Sequence, residues 1–268
     1  MVSGSLLTTR RSVEPILLAV ASAVALFATI RFALNSQRGQ SWDQSALASL
    51  YAGPDAKRHL LSLLGYVSIG TAAAALVICA VLAMVQGRIR LAIAAAVIIA
   101  GANVTTQVLK HNILERPDLG FSTLNSLPSG HTTVVTSVVL ATLLVVPGPM
   151  RTLFTIAGSF AVTLTGASTV AAGWHRPGDI IAALAVCLVW SSLVAAFVGA
   201  TTTGDSLVES LLGATVGAIA SGVFLIIVGV RPTGGWEGFM DAASVLGVIG
   251  AASAIAIGIF SRYAPNQP

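Results

Sequence analysis

Charged side chains are scarce in this sequence. Only 9% of its 268 residues are Asp, Glu, Lys or Arg, against about 25% in an ordinary soluble domain. A globule of this size in water would lack the polar surface to cover itself. With 55% hydrophobic residues, disorder and fibrous repeats are excluded as well. There are two cysteines, Cys79 and Cys187, each inside an apolar run. They read as small hydrophobes and not as a disulfide framework or a metal pair. Nothing resembles an acidic Mg²⁺ site or a His-Glu zinc motif. The 14 Lys and Arg are spread along the chain instead of forming a stripe. The net charge of +4 therefore reads as membrane orientation charge, and no nucleic-acid partner is expected.

What is present is a series of apolar runs. A bilayer helix needs about 20 such residues. Eight spans are expected, over 15–34, 60–86, 91–113, 131–147, 152–172, 177–199, 211–230 and 241–260. The first follows Arg10-Arg11 and contains Ala23-Val24-Ala25, features shared with a signal peptide. Its full span length favours an uncleaved anchor. In the polar stretch 35–59, Trp42 and Tyr51 suit a short interfacial helix over about 42–51. Pro147-Gly148-Pro149 closes span four, and Pro177 suits the first turn of span six.

The expected fold class is therefore all-α, a polytopic membrane helix bundle. It divides into a cytoplasmic segment 1–14, a six-span unit 15–199, and a region 200–268 with two further spans and a short tail. A raw count of basic residues does not orient the chain. The short turns that carry Arg88, Arg90 and Arg151 favour a cytoplasmic N-terminus. The expected location is the cell membrane, crossed many times.

Three polar clusters stand at span ends that this topology puts on one outer face. The first runs from Lys110 to Asp118 and includes His111, Glu115 and Arg116-Pro117. The second is Pro128-Ser129-Gly130-His131. The third is Ser168-Thr169 followed by Gly173-Trp174-His175-Arg176-Pro177-Gly178-Asp179. Together they have the chemistry of a phosphate site. Ser129-Gly130-His131 opens a helix, whose first N–H groups attract anions. Gly130 lets the backbone come close to an anion. Lys110 and Arg116 supply positive charge. Asp179, four residues after His175, can hold one ring nitrogen and leave the other as a nucleophile. His131 has the chemistry of an acid for the leaving oxygen. Each piece has an ordinary reading too: a snorkelling Lys110, a loop turn at Arg116, a cap at Ser129, a structural His175–Asp179 pair. His111 and His59 read as neighbours only. The joint presence in this order carries the functional reading.

Lys-x5-Arg-Pro, Pro-Ser-Gly-His and Ser-x6-His-x3-Asp resemble the three-part signature of the type-2 phosphatidic acid phosphatase superfamily. That superfamily includes membrane lipid phosphatases and vanadium haloperoxidases. The resemblance covers about 105–180 by motif and the first six spans by architecture. The sequence departs from it twice. The family has six residues between Lys and Arg-Pro, where Lys110 and Arg116 are separated by five. The family's Ser-Arg is Ser168-Thr169 here, so one phosphate-holding Arg is missing, and Arg176 is the candidate to replace it.

The resemblance implies a lipid phosphate substrate, either polyprenyl phosphate or diphosphate or a phosphatidate-like lipid, hydrolysed at the outer face. It implies that His175 attacks phosphorus, Asp179 orients it and His131 protonates the leaving group. Lys110, Arg116, Ser129, Gly130 and Ser168 would hold the phosphoryl oxygens. It implies no cofactor and no metal. A transporter or channel is the alternative, but transporters usually carry ionisable groups near mid-bilayer. A haloperoxidase shares the anion site, and the membrane character argues against it.

Overall fold

The computed structural model describes residues 3–203 and 206–265, with side chains from residue 13 onward. Residues 1–2 and 266–268, at the two ends of the expected segments, and Asp205 of the expected polar loop lie outside it. Ten α-helices make up most of the described chain: α1 (Ser3–Ala33), α2 (Gln37–Ser49), α3 (Pro54–Gly65), α4 (Ile69–Val85), α5 (Ile89–Val108), α6 (Gly130–Val145), α7 (Arg151–Ala171), α8 (Pro177–Phe197), α9 (Leu207–Val228) and α10 (Phe239–Phe260). The all-α, polytopic bundle is the observed class.

The helix ends follow from local chemistry. Ser68, Ser129 and Ser206 precede α4, α6 and α9, and each accepts a backbone N–H from the first turn. Pro177 opens α8, where its missing N–H costs nothing. Gly229 closes α9 in the left-handed region, at φ 107°.

Six helical segments are long and apolar enough to cross a bilayer: Val13–Ala33, Ile89–Ile113, Gly148–Ala171, Pro177–Phe197, Leu207–Val228 and Phe239–Phe260. The expected eight must be corrected. Span two is a broken pair, α3 and α4, bent by 50°, and counts as a seventh only if both halves are taken together. Span four is the 16-residue α6, about 24 Å long at 1.5 Å per residue and shorter than a hydrocarbon core of about 30 Å. It lies inside the bundle, with Leu140, Leu143 and Leu144 buried. Thr132, Thr133, Thr136 and Ser137 on its first turns are wholly buried too. Two of them meet α5: Asn103 Nδ2 donates to Ser137 Oγ at 3.1 Å, and the Thr106 and Thr133 hydroxyls are 2.9 Å apart.

The outer surface is apolar, with Phe27, Val85 and Phe197 among its exposed residues. A patch of that extent is unstable in water and matches lipid chains. α1 packs on α8, and α9 and α10 pack against α7 and each other. Two short antiparallel pairs tie the connections together. β1 (Leu50–Ala52) pairs with β3 (Val230–Pro232), setting Tyr51 opposite Arg231. β2 (Ala200–Thr202) pairs with β4 (Tyr263–Pro265), setting Thr201 opposite Ala264. Arg151 at the start of α7 donates through Nη1 to the carbonyls of Ser261 and Tyr263, at 2.9 and 2.7 Å.

Candidate active site

The three clusters of the sequence meet at one end of the bundle. The C-terminal end of α5, the last turn of α7 and the first turns of α6 and α8 all face there. One backbone hydrogen bond joins two of the motifs: Ser129 N–H donates to the carbonyl of Asp179 at 2.9 Å. The start of α6 is thereby fixed to the start of α8.

His175 stands just before α8. Gly173, at φ 79°, turns the chain out of α7 in a conformation that suits glycine. Trp174 and His175 then donate their backbone N–H groups to the carbonyl of Thr169, at 2.9 and 3.2 Å. His175 is 7% exposed and Asp179 is wholly buried. His175 Nδ1 lies 3.1 Å from Asp179 Oδ2. That same oxygen accepts the Arg176 N–H at 3.0 Å and the Ser126 hydroxyl at 2.6 Å. Asp179 therefore caps α8 and holds the imidazole with one oxygen, in a geometry fixed from three sides.

His131, in the first turn of α6, is half-buried. Its ring centroid lies 6.3 Å from that of His175 and 5.5 Å from that of Trp174. Lys110 sits in a single π-helical turn, Leu109–Ile113, that ends α5. Its charge acts on both His131 and Asp179. Asn125 secures this corner by donating to the carbonyls of Lys110 and Leu114, at 3.2 and 2.9 Å.

Arg116 is 5% exposed, and all three guanidinium nitrogens are buried without a hydrogen-bond partner. Burial, and next the neighbouring Arg176 cation, pull it below the usual arginine range, while Asp43 and Asp179 act the other way. A buried, unpartnered guanidinium is costly unless an anion joins it. Ser168 Oγ in the last turn of α7 is likewise buried and unpartnered. Gly130 has open space around it: an added Cβ would meet only Gln107 Nε2, at 3.7 Å. Ser129 Oγ serves as the α6 cap, accepting the Thr132 backbone N–H at 3.4 Å, and it also accepts the Thr132 hydroxyl at 3.0 Å.

Thr169 turns away from the cluster, its hydroxyl donating to the Gly166 carbonyl at 2.7 Å. Arg176 reaches back to the 124–126 loop and donates to Ser126 Oγ at 2.8 Å. His111 and His59 are exposed. Among the described residues, no group of three or more His, Cys, Asp or Glu comes together as a metal site. A groove of about 1100 Å³ between α5 and α8 is lined by Arg88, Leu91, Trp190 and Phe197 and shares no residue with this cluster.

The stretch from the start of α5 to β2 carries nearly all of this arrangement, and it matches the PAP2 superfamily model over residues 91–202. These residues belong to the PAP2 superfamily. Members of the PAP2 superfamily are generally phosphatases, and this match together with the apolar helices supports a membrane phosphatase-type protein. No curated protein and no solved structure matches it. Within the PAP2 segment, sequence reasoning passed over Ser126 and Asn125. Ser126 stands two residues before Pro128 in a serine-rich loop and had no spacing to distinguish it. Outside the segment it passed over Asp43 and Gln40 of α2, which lie in the polar stretch 35–59, read as a loop with a short interfacial helix over about 42–51.

Proposed function

We propose that the protein is an integral-membrane lipid phosphatase. It hydrolyses a phosphomonoester or diphosphate of a lipid, with the polyprenyl and phosphatidate-like classes as candidates, at the outer face of the cell membrane. The observation that carries this reading is the His175–Asp179 pair facing His131 across 6.3 Å.

With Nδ1–H donating to Asp179, the His175 lone pair is on Nε2. Nε2 attacks phosphorus, the bond to the leaving oxygen breaks, and a phosphohistidine forms. Asp179 stabilises the positive charge that His175 acquires. His131 gives its proton to the leaving oxygen, then takes one from the water that cleaves the P–N bond and restores His175. Arg116, Lys110, Gly130 N–H and Ser168 neutralise the three phosphoryl oxygens as charge moves across them. The buried, unpartnered state of Arg116 and Ser168 supports their part in this. Ser129 contributes by fixing the helix start that presents Gly130. Arg176 acts on Asp179 through Ser126.

The test is phosphate release by purified protein from a panel of polyprenyl diphosphate, polyprenyl monophosphate, phosphatidate and phosphatidylglycerol phosphate, with a chelator present. Turnover of at least one substrate is expected. Activity lost with EDTA and restored by Mg²⁺ contradicts the mechanism. His175→Ala is expected to insert, fold and lose nearly all turnover.

A further inference from the structure

α2 is a polar helix that nevertheless turns Gly39, Gln40, Asp43, Ala46 and Ser49 inward. Asp43 is 1% exposed. Its Oδ1 accepts the backbone N–H of Gly178 at 3.2 Å, and its Oδ2 has no hydrogen-bond partner. Gly178 lies in the first turn of α8, between His175 and Asp179. An added Cβ there would fall 2.8 Å from Ala33 Cβ and 3.0 Å from Asp43 Oδ2. Only glycine lets the carboxylate reach this backbone. The first-turn N–H groups of a helix have no partner inside it, and a carboxylate is well placed to serve them. One turn earlier, Gln40 Nε2 donates to the Pro117 carbonyl at 3.0 Å and to the Leu34 carbonyl at 2.7 Å. α2 therefore grips both halves of the site, the Arg116-Pro117 loop through Gln40 and the His175–Asp179 turn through Asp43.

A carboxylate buried on a single hydrogen bond is a poor stabiliser, and an apolar side chain would fill the space at lower cost. Its position is explained by what it holds. We propose, resting on the phosphatase reading, that Asp43 is a positioning residue for the reaction: it holds the Gly178 N–H, fixes the turn that carries His175 and Asp179, and so supports turnover rather than substrate capture.

The experiment compares wild type, Asp43→Asn and Asp43→Ala in one detergent. It reads kcat, KM and Tm with the best lipid phosphate of the panel. Asn keeps an acceptor for Gly178 N–H, and its kcat is expected within about threefold of wild type. Ala removes the acceptor, and kcat is expected to fall about 10- to 100-fold with KM little changed, the penalty of a displaced reacting group. Wild-type kcat in the Ala variant overturns the proposal, and so does an Asn variant as impaired as Ala. If the Ala variant does not fold, Gly178→Ala replaces it. That change pushes the carboxylate off the backbone, and kcat is expected to fall in the same way; an unchanged kcat overturns the proposal. A folded wild type that releases phosphate from no lipid of the panel fails the phosphatase reading and this proposal with it. A wild type that turns over beside an equally active Ala variant fails this proposal alone.

Discussion

At the scale of single residues, Asp179 has two duties that substitution can separate. It caps α8 through the Arg176 N–H, and it orients His175. Asp179→Asn keeps an acceptor for the cap and removes the charge behind the imidazole. Its kcat is expected to fall on the order of 10²–10⁴ with Tm nearly unchanged, as for other orienting carboxylates. His131→Ala is expected to cost on the order of 10²–10⁴ in kcat, the usual range for a general acid; steady-state phosphate release measures both. Asp43 yields a pH prediction. Burial first, then the charge of Asp179, raise its carboxyl from 3.8 to about 7, while Gly178 N–H, Arg116 and Arg176 pull the other way. Between pH 3.8 and about 7 the folded protein holds a proton that the unfolded chain has released. This contribution therefore favours the fold at low pH and is lost as pH rises toward the folded value. Asp43→Asn removes the effect. Its Tm is expected to match wild type near the acidic end and exceed it above neutrality, read by thermal unfolding in detergent across pH. His175, Asp179 and His131 were legible because chemistry-bearing residues are rare in so apolar a chain. Asp43 and Gln40 were not, because a helix written in Gln, Asp and Ser has the same composition whether its polar face meets water or the interior of a site.

Among the elements, the apolar runs mark the long spans well, since a bilayer sets length and hydropathy together. They mark breaks poorly. The run 60–86 is continuous in hydropathy, yet Ser68 restarts a helix with its own capping box, and the two halves diverge. Helix contact in this bundle depends on small residues. Gly101 of α5 faces Trp190 of α8, where an added Cβ would lie 2.6 Å from the indole, and Trp190 Nε1 donates to Thr105 Oγ1 at 3.0 Å. Gly101→Val is expected to cost about 1–3 kcal/mol by overpacking. Because α5 and α8 carry Lys110 and His175 at their site ends, activity is expected to fall along with Tm. A thermal unfolding curve and a kcat measured on the same preparation check this.

For the whole molecule, the topology read from the short basic turns is testable with two engineered cysteines. The native Cys79 and Cys187 are buried and leave little background. Leu124 on the site loop is 76% exposed, and Ile89 at the opposite end is 56% exposed. In intact cells, a membrane-impermeant thiol reagent is expected to label Leu124→Cys, and to label Ile89→Cys only after permeabilisation. The reverse pattern would put the histidines on the cytoplasmic side. The membership of residues 91–202 in the PAP2 superfamily was legible in the motifs. The way α9 and α10 join the bundle was not, because three-residue strands such as Leu50–Ala52 and Val230–Pro232 have no period to read.

Those strand pairs also constrain how the protein is made. Leu50–Ala52 leaves the ribosome early, and its partner Val230–Pro232 is still about 180 residues away. Closing so long a loop comes late. During synthesis the histidine-bearing helices therefore enter the bilayer beside an unfinished wall. The seam closes only when the last hairpin of helices arrives and β3 and β4 dock on strands laid down well before them.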